Sequence, residues 1–154
     1  MALDVESIWD ALATRLRDEA ADLKSVDRRR KASYLPEELP CLVLADDEGD
    51  ESLISETDDP GPIWRLNAQL EVYARTDDLG ESPTTQLNAL ILGVRQALEF
   101  DPAKDATVYG GRVEHYTSLG GRVSGLALVR VEKGQGALTG KPTAQITITM
   151  EALG

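Results

Sequence analysis

The sequence is poor in the residues that most often carry chemistry. It holds one cysteine, Cys41, so no internal disulfide can form, which suits a reducing compartment. It holds one histidine, His115, so a histidine-based metal site or a Cys–His pair within one subunit would need carboxylates to complete it. Lys and Arg number 16 against 27 Asp and Glu, a net charge of −11. General attraction to DNA, RNA or an anionic membrane is therefore not expected, because affinity for a phosphate backbone comes from Lys and Arg. No apolar run approaches the ~20 residues needed to cross a bilayer. The opening "MALDVESIWD" has neither the basic region nor the apolar stretch of a signal peptide, so export is not expected. Aromatic residues make up 5% of the chain, with a single Phe, which leaves little to grip a sugar ring.

What remains is enough for one globular unit. The 154 residues are 42% hydrophobic, and the whole span 1–154 reads as a single domain. A chain of this length buries roughly 70% of the surface that its unfolded form exposes.

The pattern along the chain predicts helices and strands in a definite order. Val5, Ile8, Trp9, Leu12, Leu16 and Leu23 recur at three-and-four spacing, the signature of an amphipathic helix. Asp4 is placed as its N-cap, with Leu3 and Ile8 as a hydrophobic staple. Arg15, Arg17, Asp18, Glu19 and Asp22 are expected on its solvent side. "PCLVLAD", from Pro40, reads as a short buried strand in which Cys41 is a small core residue rather than a nucleophile. "WRLNAQLEVYART" alternates strictly: Trp64, Leu66, Ala68, Leu70, Val72 and Ala74 on one face, polar residues on the other. One core face and one polar face imply a sheet covered on one side only. Ser82-Pro83 opens a second helix with the stripe Leu87, Leu90, Ile91, Val94 and Leu98, closed at Asp101-Pro102. "YGGRVEHYTSLGGRV" repeats Gly-Gly-Arg-Val at Gly110 and Gly120, read as bends between short extended pieces. "SGLALVRVEK" and "TAQITITMEA" are strands, the second a clean alternation. The fold class is α+β, a mainly antiparallel sheet with two amphipathic helices packed on one face, in the order α-β-β-α-β-β.

The charge is unevenly spread. "ADDEGDESLISETDDPGP", from Ala45 to Pro62, holds eight acidic residues and no basic one, and reads as an acidic loop at about 46–62. "DRRRK", Asp27–Lys31, is the one concentrated positive run. The acidic stretch departs from the calcium-loop order of Asp-x-Asp-x-Asp-Gly with a Glu six residues beyond the Gly. The Gly-Gly pairs lack the strand–loop–helix with Lys and Ser/Thr that a nucleotide phosphate needs. No Gly-x-Ser-x-Gly elbow accompanies His115. Nothing here assembles a catalytic set.

Taken in order, "IWDALATRL", "LPCLVLAD", "WRLNAQLEVYART", "TTQLNALILGVRQALEF" and "AQITITMEAL" resemble the tail terminator (tail-completion) proteins of long-tailed bacteriophages and related prophage or gene-transfer particles. The resemblance implies a structural virion protein forming a ring, commonly a hexamer, at the head-proximal end of the tail tube. Such a ring ends tube polymerisation and joins the tail to head-completion or neck proteins, while DNA passes through without specific binding. It implies no enzyme activity, no metal and no cofactor. Partners would be further copies of the chain, tube protein and neck proteins, and the place would be the virion, after assembly in the host cytoplasm.

Ring closure needs two different patches of one subunit to meet head to tail. The basic turn Arg28, Arg29 and Arg30 and the acids Asp46, Asp47, Glu48, Asp50 and Glu51 are complementary candidates for that inter-subunit contact. For the acids, plain solvation or a place beside the DNA channel are the other roles open; for the basic run, a solvated loop after the helix or contact with nucleic acid. Rival readings of the whole chain are another head–tail connector subunit, a small dimeric ligand-binding α+β domain, or an enzyme working with carboxylates alone.

Overall fold

The computed structural model describes residues 3–20, 22–28, 34–56, 62–75, 83–99, 106–109, 112–116, 123, 125–135 and 142–153. Helix α1 spans Val5–Glu19, and the Asp4 carboxylate accepts the Ser7 N–H at 3.1 Å, satisfying one of the donors a helix start leaves free. Ile8, Trp9, Leu12, Ala13 and Leu16 are buried along one face. The helix stops at Ala20, and Leu23 reaches the same core from the turn beyond it. Arg15, expected in solvent, is buried: its position lies beside Leu12 and Leu16, where a long aliphatic stem covers apolar surface.

Strand β1 (Ser25–Asp27) is followed by a single 3-10 turn at Pro36–Glu38 and a cis Leu39–Pro40 peptide. Then come β2 (Cys41–Glu56) and β3 (Pro62–Tyr73), helix α2 (Pro83–Ala97), β4 (Ala106–Tyr109), β5 (Arg112–Tyr116), β6 (Gly125–Gln135) and β7 (Pro142–Leu153). Five strands form one sheet in the order β1-β2-β3-β7-β6. Every pairing in it is antiparallel except the short parallel β1–β2 ladder, and β4 and β5 pair as a separate two-stranded sheet. The expected class and order hold, with β1 and the β4–β5 pair as additions. Gly110–Gly111 and Gly120–Gly121 lie outside the described residues.

Register explains the core. Leu66, Ala68, Leu70 and Val72 of β3 stand opposite Met150, Ile148, Ile146 and Ala144 of β7, so two central strands present one continuous apolar surface. Leu87, Leu90, Ile91, Val94 and Leu98 of α2 join the α1 face over it in a single buried cluster. Each fully buried Leu or Ile there contributes about 1.5–3 kcal/mol.

Two expectations need correction. The acidic stretch is not a loop as far as Glu56: β2 continues through it, paired with β3 from Asp50↔Asn67 to Glu56↔Pro62. The backbone of β3 requires a partner along its whole length, and the acidic chain supplies one whatever its side chains. A register shift between Ala45 and Asp50 takes up the extra residues. The second sheet face is also not uniformly polar. At one end Tyr34, Leu39, Cys41, Val43 and Tyr73 form a separate buried cluster, because the segment from Tyr34 to Pro40 folds over that face.

Candidate functional site

Arg28 is already engaged within its own chain. Its guanidinium grips Glu6 with both terminal nitrogens, the Nη2–Oε2 distance being 3.2 Å, and reaches Asp10 Oδ1 at 2.9 Å. Glu6 and Asp10 are four apart on α1 and would repel each other alone; the cation between them removes that penalty. The hydrogen bond from Arg28, then its charge, hold the Glu6 carboxyl below its ordinary value of 4.5. Nearby, Arg17 Nε donates to the Val26 carbonyl at 3.1 Å, so α1 is tied both to β1 and to the residue just beyond it.

A carboxyl lowered in the folded state adds stability above its unfolded pKa and loses it as pH falls through the folded value. Arg28→Ala should therefore lower the melting temperature at neutral pH, and the gap from the parent protein should narrow as pH drops below the usual carboxylate range. Thermal unfolding at several pH values measures this. A gap that stays constant would mean that the carboxylates are not what Arg28 holds.

Arg29 and Arg30 lie outside the described residues. Asp46, Asp47 and Glu48 fall on β2 at its register shift, with their side chains outside the description. Asp50 and Glu51 are exposed on the distal half of β2, and Asp50 accepts a hydrogen bond from Asn67 Nδ2. Leu53 and Ile54, beside them, are exposed aliphatics. Asp50 and Glu51 thus stand exposed on a strand paired with β3, a different element from Arg28.

Among the described residues, the same sheet face beyond the second cluster is polar and internally bonded. Thr147 Oγ1 donates to Gln69 Oε1 at 3.1 Å, Thr149 Oγ1 donates to Asn67 Oδ1 at 2.8 Å, and Arg65 pairs with Glu151 at 3.5 Å. At the opposite edge of the sheet, an open groove of about 590 Å³ runs between α2 and β6, lined by Asn88, Ile91, Leu92, Arg95, Val131 and Lys133. Lys133 bonds to Asn88 across it. Leu92 in its lining is more than half exposed, at 54%, and so is Val129 elsewhere on β6, at 57%. Sequence reasoning missed this groove; Leu92, off the buried stripe of α2, was its one signal.

Among the described residues, no group of three or more His, Cys, Asp or Glu is placed to hold a metal ion. Cys41 is fully buried in the second cluster. His115 sits on β5, with its side chain outside the description. No described helix is long and apolar enough to cross a membrane. The described surfaces offer contact: two sheet edges, an acidic strand and an amphipathic groove.

Several solved structures match the chain, among them a protein in the virion of a native gene transfer agent (GTA) particle, which aligns along nearly its whole length. The alignment covers 94% of this chain and 93% of that one at a TM-score of 0.60. The two share a fold. Their sequence identity is 15%, so the likeness is one of architecture. No family model matches the sequence, and no curated protein does.

Proposed function

We propose that the chain is a structural virion protein, a tail terminator whose copies close into a ring at the head-proximal end of a phage-like tail tube. The observation that carries this reading is end-to-end agreement in fold with a chain of a gene transfer agent virion. The order and spacing of elements that resemble the terminator family support it from the sequence side. The surface is suited to it: apolar and charged groups lie along both sheet edges, where neighbours in a ring meet. The ring stops tube growth by occupying the site of the next tube subunit, then offers its other side to neck proteins. It does this by contact alone, without catalysis or cofactor. The net charge of −11 per copy disfavours adhesion of passing DNA.

Deleting the gene from its particle should give tails of irregular, excessive length without joined heads, seen by negative-stain microscopy, and supplying the protein in trans should restore both length and joining. Tails of normal length without heads would favour a connector further along the neck. Normal joined particles would remove the proposal.

A further inference from the structure

The two open edges of the main sheet differ in a complementary way. On one side, β1 pairs only with Cys41–Val43, so in the described sheet the outer edge of β2 is unpaired over Asp50–Glu56. That edge carries exposed Asp50, Glu51 and Glu56 around Leu53 and Ile54. On the other side, β6 has no described strand beyond it. It carries exposed Val129, Arg130, Glu132 and Lys133, of which Arg130 and Glu132 pair with each other, and it borders the groove that Leu92 and Arg95 line. One edge is acidic and aliphatic; the other is aliphatic with a basic balance, Arg95, Arg130 and Lys133 against Glu132.

Both edges are bulged. The β2–β3 ladder shifts register between Leu53 and Ser55, leaving Ile54 as the extra residue. The β6–β7 ladder shifts between Leu128 and Arg130, leaving Val129. Bulges and charges on an edge strand discourage indiscriminate pairing, so each edge rejects its own kind. Unlike edges escape the charge part of that obstacle, because opposite charges face each other, and the two bulged aliphatics supply apolar contact. Within one chain β2 and β6 run in opposite directions, as three successive antiparallel pairings require. A neighbour related by rotation about an axis along the strands therefore brings its β2 antiparallel to this β6.

We infer that the outer edge of β2, at Asp50–Glu56, docks on β6 and the α2–β6 groove of a second copy, continuing the sheet from subunit to subunit. This rests on the ring reading above and names the surfaces that would close it. The contact is heterologous, the type that builds rings rather than isolated pairs. Arg28, held by Glu6 and Asp10 of its own chain, is not required as the cation.

The test uses Ile54→Cys and Val129→Cys proteins purified separately. Native Cys41 is fully buried and unreactive while the fold persists. After mixing with tube protein present, a short bismaleimide and a thiol quench precede denaturing electrophoresis, with mass measurement on untreated sample. The expected result is covalent dimers in the mixture and none with either protein alone. Adding Arg95→Glu and Lys133→Glu to the Val129→Cys chain should abolish most of that product, and Glu51→Lys with Glu56→Lys on its partner should restore part of it. Rings by mass without mixed cross-links would overturn this contact while leaving the ring reading intact. Cross-links within one protein alone would also overturn it, since like edges would then be pairing. Monomers by mass under all conditions would remove the ring reading and this inference together.

Discussion

Leu70→Ala should lower unfolding free energy by about 3–4 kcal/mol, within the range of 2–5 found for Leu→Ala in closed cores. Leu70 is fully buried on β3, with Leu44 opposite it on β2 and Ile146 opposite it on β7. Central strands cannot move inward to fill a void without breaking ladders on both sides. The cavity therefore persists, and its cost adds to the lost transfer energy. Total stability of a domain is only about 5–15 kcal/mol, so a large share is at stake. Urea unfolding should show a lower midpoint with an unchanged slope. A loss under about 1 kcal/mol would show a core able to collapse around the site, contrary to the two-sided pairing. Leu92→Ala is the internal comparison: more than half exposed on α2, it should leave stability nearly unchanged.

The contrast between these two leucines shows what the sequence can reveal. Both α1 and α2 and the strands β3 and β7 are readable because each buries one face, and one-sided burial imposes a period of 3.6 or 2 on the side chains. Leu66, Ala68, Leu70 and Val72 alternate for that reason, as do Ala144, Ile146, Ile148 and Met150. The distal half of β2 is exposed at nearly every position, so burial imposes no period there. Its strand geometry comes from the backbone of β3, which one chain segment cannot announce about another. Arg28 poses the same difficulty: its partners lie 18 and 22 residues earlier, and only their spacing of four on a helix hints at a cation between them. The groove between α2 and β6 is a product of topology, since β6 reaches that edge only by pairing with β7. The acids Asp50 and Glu51 could be read as surface groups, but not the strand edge on which they stand.

The second cluster gives the other large effect. Tyr73 is fully buried on the face opposite the main core, its ring 5.5 Å from that of Tyr34 and tilted by 30°. Its hydroxyl donates to Glu71, which is 2% exposed. Two terms can be separated at this residue. Tyr73→Ala removes the ring and the hydroxyl together and should cost about 3–5 kcal/mol, as for other buried aromatics. Tyr73→Phe keeps the ring stacked on Tyr34 and removes one hydrogen bond from a desolvated acid, a penalty of about 1–3 kcal/mol. Glu71 has further interactions, which places the Phe variant toward the lower end. Combining Tyr73→Phe with Glu71→Ala should cost less than the sum of the two single changes, because each removes the same bond. Strict additivity in that cycle would mean that the hydroxyl and the acid do not depend on each other. A Phe variant as damaged as the Ala variant would put the weight on the hydroxyl instead of the ring. The expected order, Ala far below Phe, makes this cluster chiefly an apolar clamp. It fastens the segment from Tyr34 to Pro40 across the sheet and covers Cys41 and Val43, at the end of β2 away from its acidic edge.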